Sequence, residues 1–169
     1  MPFLAPDDPA AVAALADRPG ACDSLGMCAI PSGRPPRDAA GADHSAEYFL
    51  TVARRAVDGF PAAFRPAAQE VRIIVAEQAE PEMLNDLGMA DPLDLTGLYE
   101  GIPVTEKSTW DIVEQPDTVW LFRAAILHEW RDRGDVALDD LITHVTVHEF
   151  AHHFGWSDAA IAEIDPWWE

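Results

Sequence analysis

The stretch DVALDDLITHVTVHEFAHHFGWSD, residues 135–158, decides how the rest of the chain is read. Asp135 is placed to cap a helix, Asp139 and Asp140 fall in its first turn, where the helix dipole favours negative charge, and Gly155 is placed to end it. The spacing predicts a helix from about Val136 to Phe154. At about 100° per residue, Val147, Phe150, Ala151 and Phe154 gather on one side, while Leu138, Leu141, Ile142 and Val145 cover the opposite side nearer the start. A helix this apolar all round is central and buried, and the other elements must pack around it.

Inside it lies His148-Glu149-Phe150-Ala151-His152. Histidines four apart stand one turn apart on the same face, so both imidazoles can reach one metal ion roughly 2.0–2.1 Å from each nitrogen. Glu149 is rotated off their shared line but can lean over the ion, as a general base acting on metal-bound water must. The plain alternative is a pair of buried histidines hydrogen-bonded to their neighbours. Beyond the helix, Gly155 allows the chain to reverse, and Asp158 can return as a third ligand. Ser157-Asp158 ahead of Ala159-Ala160-Ile161 also reads as an ordinary helix N-cap, and Glu163 and Asp165 are reserve ligands. His144 shares the stripe, but three such histidines span about 12 Å, too far for one ion, so it reads as a cleft or supporting residue. His153 is rotated away from the pair and reads as a surface or supporting group, and His44 and His128 have no metal-spaced partner.

Working outward, residues 1–43 hold half of the 14 prolines and several glycines, which interrupt regular structure. They read as a partly disordered arm with one helical candidate, Pro9 to Ala16, ahead of a folded domain over 44–169. In that domain, Tyr48, Phe49, Val52, Ala53 and Ala56 recur at helical spacing between a Ser45 cap and Gly59. A helical turn near Phe60–Pro66 leads into a strand over Val71–Val75, and a short helix over Pro81–Leu87 stops near Gly88. Leu98–Val104 reads as extended, with Gly101 and Pro103 demoting it to an edge or bulged strand. Thr118–Phe122 is a third strand, followed by a helix from Ala124 to Arg133 that Gly134 closes.

The 169 residues suffice for one core, and 49% hydrophobic with 24% charged residues is an ordinary globular composition. The net charge of −19, with Lys107 the sole lysine, argues against nucleic acid and anionic membranes as partners. No stretch approaches the roughly 20 apolar residues that span a bilayer, and the acidic N-terminus is unlike a secretion signal, so the expected compartment is the cytoplasm. Cys22 and Cys28 lack the partners of a structural zinc site and read as free thiols. Nothing in the sequence specifies an oligomeric state.

HEFAHHFGWSD, His148 to Asp158, resembles the minimal zincin-like metallopeptidase family of small bacterial proteins, whose extended pattern is H-E-x-x-H-x-x-G-x-x-D. The segment Thr96 to Glu106 is similar to that family's Leu-Tyr-x-Gly-x-Pro block, and the resemblance covers roughly residues 46–165. It implies a compact α+β fold, a small sheet packed against helices with the H-E-x-x-H helix at its centre. It further implies Zn²⁺ held by His148, His152 and Asp158, with Glu149 as catalytic base. Larger relatives place a methionine turn beneath the metal, whereas no Met follows Asp158 here. Backbone along Leu98–Val104, with Tyr99 and Gly101, is the substrate-binding expectation that the resemblance supports. The leading expectation is a zinc peptidase acting on a peptide or protein, and the alternative is a catalytically weak zincin scaffold that recruits a protein partner. A metal-dependent nuclease is disfavoured by the charge.

Overall fold

The computed structural model describes residues 44–107 and 116–162, so the arm with Cys22 and Cys28, and the reserve ligands Glu163 and Asp165, lie outside the described residues. Helix α1 (Ala46–Asp58) begins where Ser45 Oγ accepts the Tyr48 N–H at 3.2 Å, and Gly59 closes it. The helical turn expected after it continues into α2 (Arg65–Glu70), which feeds β1 (Arg72–Ala76). Helix α3 (Pro81–Leu87) stops at Gly88, whose φ of +68° is left-handed backbone that glycine adopts without a Cβ penalty. A 3₁₀ turn at Pro92–Asp94 precedes β2 (Gly97–Glu100), and β3 (Thr118–Phe122) runs into α4 (Arg123–Arg133). Helix α5 (Leu138–His153) and the short α6 (Asp158–Ala162) complete the described chain. No helix among the described residues is long and apolar enough to cross a membrane.

The sheet has the order β1-β3-β2, with β1 parallel and β2 antiparallel to the central β3. Covering both faces of β3 requires an almost unbroken apolar run, and Thr118–Phe122 supplies it. Val119 and Leu121 face the main core, built with Phe49, Val52 and Ala53 of α1 and Leu141, Ile142 and Val145 of α5. Phe122 and the partly buried Trp120 face a smaller core with Leu84 of α3, Ala125 of α4 and Leu98 of β2. The architecture is α+β, and α5 lies in its centre with Ile142 and Phe150 fully buried.

Three expectations need correction. Helix α5 starts at Leu138, and Ala137 caps it without a side-chain hydrogen bond, so Asp135 is not the cap. The reason is tertiary: the Trp130 indole N–H donates to the Val136 carbonyl at 3.0 Å, holding that residue ahead of the helix. The acids of the first turn serve as expected, and Asp139 also accepts the Tyr48 hydroxyl, tying α5 to α1. Strand β2 ends at Glu100 rather than reaching Val104, because the chain bends at Gly101 and the Val104 N–H donates to the His153 carbonyl at 2.9 Å. His153 is no surface group, being only 2% exposed.

Strand β2 lies so close to α5 that a Cβ on Gly97 would fall 2.7 Å from Glu149 Oε1, 2.8 Å from Glu149 Cγ and 2.9 Å from Val145 Cγ1. Gly97→Ala must therefore push the strand off the helix. A loss of about 1–3 kcal/mol is expected from such overpacking, measured as a lowered urea midpoint with an unchanged m-value.

Candidate metal centre

His148 and His152 project from successive turns of α5, and their Nε2 atoms stand 3.3 Å apart. Asp158 Oδ1 lies 3.3 Å from His148 Nε2 and 3.2 Å from His152 Nε2. These three are the group of potential ligands that converges among the described residues. Donors on a tetrahedral zinc, each roughly 2.0–2.1 Å from the ion, are separated by roughly 3.3–3.4 Å. The donor set therefore fits zinc in both chemistry and spacing.

Each donor is aimed by a local cause. His152 Nδ1 lies 2.9 Å from the Trp156 carbonyl, which can only accept, so the ring proton is assigned to Nδ1 and Nε2 keeps its lone pair. Asp158 returns to the histidines because the chain reverses at Gly155, with φ +91°, where the Gly155 N–H donates to the His152 carbonyl and the Trp156 N–H to the Ala151 carbonyl. Buried Trp156 anchors that reversal against Phe64 and Phe154. The two readings of Asp158 separate here: Ser157 Oγ accepts the Ala160 N–H at 3.4 Å and takes the capping role. The Asp158 side chain, 83% exposed, begins α6 with its carboxylate turned to the histidines.

Glu149 is 8% exposed and accepts a hydrogen bond from the Tyr99 backbone N–H. Burial pushes its carboxyl up to about 8; the Tyr99 N–H opposes the shift, and the nearby charge of Asp158 adds to it. In sheet pairing, the Phe122 N–H donates to the Thr96 carbonyl, so by alternation Gly97 and Tyr99 direct their backbone groups away from β3, toward α5. Between them and α5 lies a cleft of about 660 Å³, with Glu149, His148, His152 and Asp158 on its wall. Leu95, Leu98, Leu141 and Val145 make part of it apolar, and the Glu129–Arg133 ion pair (2.7 Å) also faces it.

The remaining expected residues fall in different places. His144 lines the cleft. Tyr99 lines it as well, but its hydroxyl lies 3.2 Å from His153 Nδ1 and donates to Asp117, neither of which is a cleft residue. Gly101 is not among the cleft residues and sits over Asp117 and the Tyr99 ring. His44 packs edge-on against Trp130, and His128 is exposed. Sequence reasoning missed Gly97, whose position directly before the Leu98-Tyr99 block was the available signal, and Asp117, which carries no local pattern at all.

Two shifts set a pH dependence for the metal-free protein. Glu149, raised from 4.5 to about 8, contributes stability that is complete below the unfolded value and lost as pH rises through about 8. His153, lowered by burial from 6.5 to about 4, contributes stability present above 6.5 and lost as pH falls through about 4. The two oppose each other below 6.5, which leaves Glu149 exposed as a falling limb between about pH 6.5 and 8. Its slope should approach about 1.4 kcal/mol per pH unit, one proton's worth. Chemical denaturation in chelator across this range should show the limb, and Glu149→Gln should flatten it.

Residues 68–168 match the family model described as zincin-like metallopeptidase, a span that takes in all three strands, the cleft and the three converging donors. Helix α1, which supplies Phe49 and Val52 to the core, precedes the matched span. No curated protein matches the chain. The match covers more than half of the sequence, and with it the chain belongs to the zincin-like metallopeptidase family.

Proposed function

We propose that the protein is a zinc-dependent peptidase that hydrolyses peptide bonds with Glu149 as general base. The observation that carries this reading is the spacing of His148 Nε2, His152 Nε2 and Asp158 Oδ1, 3.2–3.3 Å pairwise, which suits one tetrahedral ion. Family membership supports it. Zinc bound there supplies a Lewis acid that polarises a peptide carbonyl and lowers the pKa of water. Glu149, beside His148 on the cleft wall, takes the proton of the attacking water and hands it to the departing amine. Its burial favours the protonated form that delivers, and the Tyr99 N–H favours the carboxylate that receives, so the residue is suited to both halves of the transfer.

The substrate is a peptide or an exposed protein segment in extended form. With the Tyr99 N–H held by Glu149, the outward N–H and carbonyl of Gly97 and the outward carbonyl of Tyr99 are the edge groups such a chain would pair with, and the apolar cleft wall receives its side chains. The net charge of −19 works against nucleic acid in the same cleft and helps to concentrate divalent cations.

Elemental analysis of dialysed full-length protein should find about one zinc per chain, and His148→Ala/His152→Ala should hold none. Zinc-loaded protein should cleave members of a peptide library. Glu149→Gln should keep the ion and lose at least about 10²-fold in rate. A folded parent that takes up no zinc overturns the reading, and equal hydrolysis by Glu149→Gln overturns the role of the base. Full zinc occupancy without cleavage across the library transfers the protein to the scaffold reading.

A further inference from the structure

Around the Tyr99 hydroxyl four polar side chains are gathered: the buried Asp117 and His153, the half-buried Tyr99, and Lys107, which reaches in from the surface. Asp117, 8% exposed, immediately precedes β3. Its carboxylate accepts from Lys107 Nζ and from the Tyr99 hydroxyl, and Oδ2 lies 3.5 Å from His153 Nδ1. Tyr99 has one hydroxyl proton. Given to Asp117, it leaves the oxygen to accept from His153, which assigns the imidazole proton to Nδ1 at 3.2 Å. His153 Nε2 has no hydrogen-bond partner among the described residues, and the imidazole packs edge-on against the rings of Phe150 and Phe154.

Burying such a group adds little to stability compared with apolar packing of the same volume. Hydrogen bonds add direction, and here each one ends on a segment that shapes the site. Tyr99 gives its backbone N–H to Glu149. Lys107 closes the loop after β2, whose Val104 N–H donates to the His153 carbonyl and whose Thr105 fills the space over Gly155, 2.3 Å from where a Cβ would lie. His153 is the last residue of α5 and the immediate neighbour of His152. Gly101 lets the chain cross the assembly, since a Cβ there would fall 2.4 Å from Asp117 Oδ1 and 2.6 Å from the Tyr99 hydroxyl.

We propose that Asp117 is a positioning residue for the metal centre: by tying Tyr99, Lys107 and His153 together, it holds the end of α5 and the Gly155 reversal so that His152 and Asp158 meet at the separation that accepts the ion. This rests on the zinc reading above. Asp117 touches neither donor nor cleft, and it acts through the two segments that do.

The test measures zinc affinity of the full-length protein by competition with a chromophoric chelator, and the visible spectrum of the Co²⁺-loaded form. Asp117→Ala should weaken zinc binding by about 10–100-fold and shift the cobalt spectrum toward that of Asp158→Ala. Asp117→Asn, which keeps one oxygen acceptor but turns an NH2 group toward the second donor, should recover part of the affinity lost in Asp117→Ala. Tyr99→Phe deletes one hydroxyl, tests the same network should Asp117→Ala fail to fold, and should move both readouts in the same direction. Leu84→Ala, in the small core across the sheet, should lower the melting temperature while leaving affinity and spectrum at parental values. Parental affinity and spectrum in Asp117→Ala and Tyr99→Phe would overturn the proposal, as would an equal loss in Leu84→Ala. A parent that binds no zinc overturns the metal reading itself, and is recognised before any variant is made.

Discussion

Helix α5 has to be core and active surface at once, and the rest of the fold follows from that demand. Leu141, Ile142, Val145 and Phe150 bury one part of its circumference against α1 and the sheet. His148, Glu149 and His152 must stay on a part that a ligand can reach. A sheet packed flat over that second part would close it. The arrangement found instead brings β2, an edge strand, alongside Glu149, so that one protein backbone approaches and the histidines remain open. Gly97 is the condition for that approach, because any side chain there occupies the place of the Glu149 carboxylate.

The environment of Glu149 is a consequence of the same contact. Burial under β2 disfavours its charge, while the Tyr99 N–H offers that charge a directed partner. Burial is the larger effect, and without a cation the group holds its proton near neutral pH. A divalent ion held by His148, His152 and Asp158, as proposed, would favour the carboxylate, because opposite charge in a partly desolvated site is weakly screened. The base and the proposed ion are therefore coupled: filling the one site prepares the other.

Much of this was readable in local sequence, and what was not readable shares a cause. Ser45, Gly59, Gly88 and Gly134 mark helix ends through backbone geometry, and each ends or begins a helix in place. The run Thr118–Phe122 reads as a strand, and its limits agree with the structure. The misplaced start of α5 and the overlong β2 were set by the Trp130 indole and by the bond from Val104 to His153, neither of which has a local signature. His153 stayed open between a surface and a supporting role because helical periodicity gives its angle from His152 but not the neighbour on that side. The neighbour is Tyr99, 54 positions away. Asp158 stayed ambiguous because Ser157 and Asp158 can each cap a helix, and only the structure assigns the cap to Ser157.

The three donors differ in what holds them. His148 and His152 are set by one helix turn, a local geometry that survives most changes elsewhere in the core. Asp158 arrives from outside α5, on a five-residue helix, after a reversal that depends on Gly155, Trp156 and the loop carrying Thr105. Its carboxylate is exposed while Trp156 beneath it is buried, so the side chain is free to bind and the backbone is not free to wander. The loop beside the Gly155 reversal is secured through Lys107 and Asp117, the support proposed above for the three donors. On the proposed reading, the accuracy of the site is set less by the motif that announces it than by the tertiary contacts that bring Asp158 to the two histidines.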